Sequence, residues 1–307
     1  MDQERLIGDF SSGGSTSPTI IVMAALHGNE PAGVIAAKRV ISQLEVENVG
    51  FSGRLIAIHG NLAASKANVR YLDYDLNRLW GKEPLADPVI RKGCRELDEL
   101  QQVKKLFLEV VSEAKKTGPV FCLDLHTTSG PSAPFLGVAD NHSCLDFARH
   151  FPLPRMQGLE KQGISGLFYL YAAQQGIHTV VVEGGQHEAL RSIDNLEAAI
   201  WNGLLAAGSL EGHCLTMVQD KYRELLRSQT AHLPECFEIS HIHRIEENDG
   251  FKMRPGFSNF QSISEGEHLA DDNSGPISSP FRGMIFLPRY QPTGSDGFFL
   301  IREGDSD

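Results

Sequence analysis

The sequence predicts an α/β protein, with a mixed, mostly parallel sheet flanked by helices and followed by a smaller β-rich unit. Two observations lead there. Short runs dominated by Ile, Val and Leu, at 20–26, 54–60 and 119–126, alternate with segments whose apolar residues recur at helical spacing. Beyond about residue 206 the texture changes to brief apolar segments broken by Gly, Pro, Asn and Asp. These patterns divide the chain into an α/β domain over 1–209 and a β-rich C-terminal domain over 210–307.

Taken in order, residues 11–18 (SSGGSTSP) read as a surface loop. The run 20–26 is apolar throughout, too short to cross a bilayer, and rich enough in Ile and Val to be a buried strand. It stops at His27-Gly28-Asn29-Glu30. Gly28 allows a tight backbone path, and Pro31 suits the first turn of a helix whose apolar residues include Val34, Ile35, Val40, Ile41 and Leu44. The strand at 54–60 completes a strand, helix, strand unit expected to be parallel. Residues 61–80 show no clean period but concentrate Arg70, Asp73, Asp75, Asn77 and Arg78, the make-up of a loop that grips substrate. Leu97, Leu100, Val103, Leu106, Phe107, Val110 and Val111 predict an amphipathic helix over 95–116. After the strand at 119–126 come a strand at 133–139, helices near 142–150 and 166–175, and a strand over 178–183 that ends in Glu183. Ser192 is expected to cap the next helix, whose apolar face is Ile193, Leu196, Ile200 and Leu204. A further helix near 218–227 precedes strands within 236–245, 283–288 and 297–301.

The totals exclude several classes of function. With 28 Lys and Arg against 39 Asp and Glu, the net charge of −11 would repel a polyphosphate, so no nucleic-acid partner is expected. Five scattered cysteines without a CxxC point to reduced thiols in a cytoplasmic compartment. No apolar run of signal-peptide or membrane-spanning length is present, so neither secretion nor a membrane partner is expected. The oligomeric state stays open, a homo-oligomer included. There is no GxGxxG after a strand, no Walker loop and no GxSxG elbow. His187-Glu188 begins like HExxH, but Arg191 occupies the fifth position; His241 and His243 read as a satisfied histidine pair on a strand.

What remains is a set of metal-competent groups delivered at strand ends. His27 and Glu30 follow the first buried strand and His126 ends the third, and ligands bind at the carboxyl ends of strands in such sheets. Two imidazoles and a carboxylate are the His2Glu set that catalytic zinc uses, with a position left open for water. The bland alternative is that His27 and Glu30 cap a helix while His126 is a hydrogen-bonded core histidine. Glu183, at the end of another strand, could serve as a base, and Asp124, on the face of His126, could orient that imidazole. Arg70 could polarise a carbonyl, while Asn77 and Arg78 could hold a carboxylate.

The motifs HGNEPAG, RYLDYDLNR, DLHTT and VVVEGG, in this order and spacing, resemble the succinylglutamate desuccinylase/aspartoacylase family, itself related to zinc carboxypeptidases. The resemblance covers about residues 19–205, and the β-rich tail agrees with the family's C-terminal domain. It implies a zinc carboxypeptidase-like fold and hydrolysis of the amide bond of an N-acyl amino acid, a small-molecule substrate. One zinc would be held by His27, Glu30 and His126, and Glu183 would act as general base and then general acid. Arg70 would polarise the carbonyl, Asn77 and Arg78 would bind the α-carboxylate, and Tyr290 would be the C-terminal domain's contribution. The chain departs from the pattern by lacking an Arg shortly before the catalytic Glu; the stretch GLFYLYAAQQGIHTVVVE offers Tyr169 and Tyr171 instead. A less acidic or more apolar substrate than N-acetylaspartate is therefore expected. The rival readings are a metallocarboxypeptidase acting on short peptides and a non-catalytic zinc- or ligand-binding member of the same fold.

Overall fold

A strand that is apolar at every position needs cover on both faces, because successive side chains alternate between them. That requirement organises the protein, whose computed structural model describes residues 4–14, 17–46, 50–81, 93–246 and 248–304. Strand β2 (Thr19–Ala24) is buried along its whole length. Ile20, Val22 and Ala24 join one core, with helix α1 (Ala32–Val46) and the helix Leu190–Ala206. Ile21 and Met23 join a second core on the opposite face, with the helix Arg95–Ala114.

Strand β1 (Leu6–Ser12) pairs antiparallel with β3 (Gly53–His59), so Ser11 and Ser12 belong to an edge strand and not to the loop expected there. Helix α2 (Leu62–Ala67) is capped by Asn61, whose side chain accepts from Ala64 N at 3.0 Å. Helix α3 (Arg95–Ala114) carries Glu96 and Asp98 in its first turn, where carboxylates complement the helix dipole. Its Phe107, fully buried, meets the rings of Trp80 and Phe168 at 6.4 and 5.1 Å; truncation to Ala would cost about 3–5 kcal/mol. Then follow β4 (Val120–Thr128), β5 (Phe135–Val138), α4 (His142–Arg149), β6 (Arg155–Gln157), α5 (Phe168–Gln174), β7 (His178–Gln186) and α6 (Leu190–Ala206). Ser192 does not cap α6. The cap position is Ala189, and Ser192 Oγ instead donates to Gln186 O at 2.6 Å, tying the end of β7 to the helix.

The C-terminal strands are β8 (Cys236–Arg244), β9 (Lys252–Met253), β10 (Gln261–Ile263), β11 (His268–Asp272), β12 (Gly275–Ser278), β13 (Gly283–Phe286) and β14 (Asp296–Glu303). Among the described residues the main sheet has eleven strands in the order β1-β3-β2-β4-β7-β5-β6-β8-β14-β13-β10, with a separate sheet β12-β11-β9. Pairings of β2 with β3 and β4, and of β4 with β7, are parallel, as predicted for the α/β part. Residues 212–230 are still helical, as α7 (Gly212–Met217) and α8 (Arg223–Thr230), which extends the single helix expected there. Strand β8 (Cys236–Arg244) pairs parallel with β6 and antiparallel with β14 (Asp296–Glu303), so the sheet crosses position 210 unbroken. A small third core, including Met253, Leu269, Ile285 and Leu300, holds the C-terminal strands together. All five cysteines are buried, and no described helix is long and apolar enough to cross a membrane.

Candidate active site

The chain leaves β2 for β3 on one side, while β4 and then β7 lie on the other. The point where strand order diverges opens a crevice at the carboxyl ends of parallel strands. Backbone geometry aims the residues there. Ala25, at φ 54°, turns out of β2 in the left-handed region that non-glycine residues rarely adopt, two residues before His27. Gly28 then passes so close to α2 that a Cβ would stand 2.1 Å from the backbone carbon of Ala64.

His27, Glu30 and His126 meet in this crevice, all buried, with their ligand-type atoms within 4.8 Å of one another. Each imidazole turns Nδ1 to the Glu30 carboxylate, at 2.8 Å from His27 and 3.1 Å from His126. Behind each stands another carboxylate: His27 Nε2 is 3.1 Å from Asp75 Oδ1, and His126 Nε2 is 3.1 Å from Asp124 Oδ1. Carboxylates behind metal imidazoles fix the tautomer and raise ligand basicity, so this donor set would fit a divalent cation held by His27, Glu30 and His126. Burial alone would press the His126 pKa down, but Asp124 and Glu30 outweigh it and hold it well above the usual histidine value. For Glu30 the balance runs the other way. Burial raises its pKa, and the two histidines together pull it well below the ordinary carboxylate value.

Glu183 sits opposite His126 on the neighbouring strand, and its Oε2 is buried without a hydrogen-bond partner. Burial pushes this carboxyl up to about 8, with Glu30 and Asp124 adding to the rise and His126 and Arg70 opposing it. Arg70 donates from Nη2 to Asp75 at 2.9 Å and has Nη1 3.7 Å from Glu30. Asn77 Oδ1 accepts from Phe168 N at 2.8 Å while its Nδ2 is 3.4 Å from His126 Nε2, so much of its side chain is already committed. Arg78 reaches Asp296 at 3.6 Å. These residues line one pocket of about 320 Å³, which also takes its walls from the C-terminal region: Leu287, Pro288, Arg289, Gln291, Thr293 and Asp296.

Tyr290 is not brought into the pocket. Its hydroxyl accepts from Phe257 N at 2.9 Å and donates to Arg254 O at 2.9 Å, which turns it toward the 254–257 loop. Its neighbours Arg289 and Gln291 face the site instead. The sequence reading noted Asp75 without giving it a task, and it missed Glu96 altogether. Glu96, fully buried, accepts from the N–H groups of Leu72, Asp73 and Tyr74 at 2.6, 3.0 and 3.2 Å, which pins the loop carrying Arg70, Asp75 and Asn77. A second group of ligand-type atoms, Asp73, Cys94 and Glu96, is explained by that role and by the Asp73–Arg95 ion pair at 2.6 Å. His187, discounted with the failed HExxH, also lines the pocket, where its Nδ1 is 2.7 Å from Thr127 Oγ1. His243 stacks on Phe298 at 5.0 Å, a packed strand histidine as expected.

Comparison with known proteins bears on the whole arrangement. A curated succinylglutamate desuccinylase of Photorhabdus laumondii is 30% identical over 109 residues, 36% of this chain and 33% of that protein. The match thus spans about a third of the relative's length. Among solved structures, the succinylglutamate desuccinylase/aspartoacylase of Rhodobacter sphaeroides superposes with a TM-score of 0.68 at 17% identity, covering 97% of this chain and 88% of that one. A product-bound ectoine utilization protein of Ruegeria pomeroyi gives 0.65 at 18% identity, covering 96% and 87%. At these identities the structures establish the shared fold. The model of the succinylglutamate desuccinylase/aspartoacylase catalytic domain matches residues 16–202, well over half of the sequence and every strand end that builds the crevice, and the chain belongs to that family.

Proposed function

We propose that the chain is a zinc-dependent deacylase that hydrolyses the amide bond of a small N-acyl amino acid. The observation carrying this reading is the convergence of His27, Glu30 and His126, each imidazole backed by its own carboxylate, beside the recessed carboxyl of Glu183. Zinc held by these three side chains supplies Lewis acidity, which lowers the pKa of water and polarises a carbonyl oxygen. Glu183, opposite His126 on the neighbouring strand with Oε2 unengaged, is placed to take a proton from the attacking water and return it to the leaving amine. Water adds across the C–N bond, giving one carboxylic acid and one amine. Arg70, held between Asp75 and Glu30, offers its guanidinium to the negative charge that develops on the carbonyl oxygen. Arg78 and Asn77 hold the substrate α-carboxylate, Arg78 as the charged partner and Asn77 chiefly by positioning.

The C-terminal domain, taken as 210–307, narrows the mouth through the segment between β13 (Gly283–Phe286) and β14. That favours small amides over extended peptides. Metal analysis of the purified protein, with N-acyl amino acids assayed beside short peptides, tests the reading. Zinc near one per chain and faster hydrolysis of the acyl amino acids are expected. Faster cleavage of peptides would favour a metallocarboxypeptidase, and zinc-loaded protein that hydrolyses neither would be a binding member of the fold.

A further inference from the structure

Beyond Glu183 the pocket wall changes character. Val181 stands two residues before Glu183 and shares its face of β7, and Leu159, Ile164, Leu167, Leu287 and Phe299 continue the wall. Tyr169 adds one polar atom to it. The residue is 1% exposed, yet its hydroxyl has no hydrogen-bond partner. A buried hydroxyl left unpaired in an apolar chamber is costly unless a ligand satisfies it.

The segment carrying this wall is seated on the carboxylate-binding turn. Phe168 N donates to Asn77 Oδ1 at 2.8 Å, and Trp80 N donates to Gly166 O at 3.0 Å. The approach is so close that a Cβ on Gly166 would stand 2.1 Å from Arg78 O. A carboxylate held by Arg78 would therefore lie beside the segment that carries Ile164, Leu167 and Tyr169.

The charges around the chamber are unfavourable to an anion. Burial raises the Tyr169 hydroxyl pKa strongly, and the carboxylates of Glu160 and Asp124 push it the same way. Arg78 opposes them, but it already faces Asp296. Arg70 is likewise engaged with Asp75. Arg289 feels the charge of Asp296, its Nη1 donates to Gly294 O at 2.8 Å, and its guanidinium lies 5.2 Å from the centre of the Phe251 ring.

We propose that this chamber receives the side chain of the substrate's amino-acid half and selects an uncharged one, apolar along its length with a hydrogen-bonding tip at the Tyr169 hydroxyl, against carboxylate side chains. The proposal rests on the deacylase reading only for the placement of the α-carboxylate at Arg78. Among the described residues, Arg70 and Arg78 already face carboxylates, so an anionic side chain would be desolvated here at greater cost than an uncharged one.

The isosteric pair N-acetyl-L-glutamine and N-acetyl-L-glutamate separates charge from shape. Binding of each, and of N-acetyl-L-leucine, is measured calorimetrically to zinc-loaded Glu183→Gln protein. Glutamine and leucine derivatives should bind at least about 10-fold more tightly than the glutamate derivative. Tyr169→Phe should weaken the glutamine derivative by about 2- to 10-fold and leave the leucine derivative unchanged. Equal or tighter binding of the glutamate derivative would overturn the proposal and point to Arg289 as an anion site; no binding of any of the three would overturn it as well. An equal loss for all ligands in Tyr169→Phe would remove Tyr169 from recognition. Hydrolysis by the parent protein that favours the glutamate derivative would sink this selectivity and leave the deacylase reading standing. Selective binding of uncharged ligands with no hydrolysis would do the reverse.

Discussion

Replacing Asp75 by Asn probes the carboxylate behind the first metal-type histidine. Asp75 Oδ1 lies 3.1 Å from His27 Nε2 and accepts from Asn77 N at 2.9 Å, while Oδ2 accepts from Arg70 Nη2 at 2.9 Å. An amide keeps only one of these acceptors. If its oxygen serves His27 and Asn77, its NH2 faces the Arg70 guanidinium, donor against donor. Turned the other way, it faces the imidazole and the Asn77 N–H. The negative charge is lost in either case. Removing a carboxylate that orients a metal imidazole typically weakens metal binding 10- to 100-fold, or about 1.4–2.8 kcal/mol. Arg70 would retain only its longer 3.7 Å contact with Glu30 and should lose its aim at the carbonyl oxygen. Turnover at saturating zinc should therefore fall in addition to the loss of affinity. Zinc competition against a fluorescent chelator reads the first effect, and kcat/KM on an N-acyl amino acid with excess zinc reads the second. Affinity and turnover both indistinguishable from the parent's would refute the role assigned to Asp75.

Glu183→Gln should retain zinc and lower kcat by about 10²- to 10⁴-fold, measured as metal per chain and initial rate. The same variant has a pH signature in metal-free protein. Because the Glu183 pKa is raised from 4.5 in the unfolded chain to about 8 in the fold, its contribution to stability is complete below pH 4.5 and lost as pH rises toward 8. The melting temperature of Glu183→Gln should thus gain on the parent's across that window, and a flat difference would count against the raised pKa. Against the pull of burial, Asp124 and Glu30 hold the His126 pKa well above its usual value, which favours a proton on the imidazole in the metal-free protein. Zinc binding should release that proton, which calorimetry in buffers of different ionisation enthalpy detects and a buffer-independent heat would contradict. Glu96→Ala removes the acceptor for three loop N–H groups and should destabilise the protein by about 2–4 kcal/mol, with a lowered melting temperature and weaker turnover together. Unchanged stability would mean that water replaces the carboxylate.

What was legible in the sequence follows from how local each signal is. The parallel centre of the sheet could be read because a strand such as β2, buried on both faces, needs a continuous apolar run. Edge strand β1 could not, because LIGDFSS is half solvated and contains Gly8, Asp9 and serines in place of an alternating pattern. His27, Glu30, His126 and Glu183 stood out because each lies near or just beyond the carboxyl end of a strand that was itself readable. Asp75 did not, since its pairing with His27 spans 48 positions through a loop without a period. Glu96 was concealed by looking like an ordinary first-turn acid of α3, although its carboxylate points back into the loop. The Tyr290 hydroxyl turns to the 254–257 loop, while its neighbours Arg289 and Gln291 line the pocket. Only the long-range bonds from its hydroxyl to residues 254 and 257 decide which of its neighbours faces the pocket.

The same contrast separates chemistry from selectivity within the molecule. Groups that would handle metal and proton stand at the ends of β2, β4 and β7, where parallel register fixes neighbours residue by residue and His126 lies opposite Glu183. Groups that would choose the substrate come from segments 159–169 and 287–296, held to the frame by individual bonds such as Leu287 N to Asn259 Oδ1 at 2.6 Å and Arg289 N to Gly297 O at 2.9 Å. A substitution in the first set disturbs a shared register and, through buried charges, every ionisable neighbour at once. One in the second set changes the shape or charge of one wall and leaves the carboxylate-backed histidines as they are. The sheet's passage through β5, β6 and β8 to β14 joins both sets in one continuous sheet, so a change in the substrate wall need not alter the geometry of the metal-type cluster.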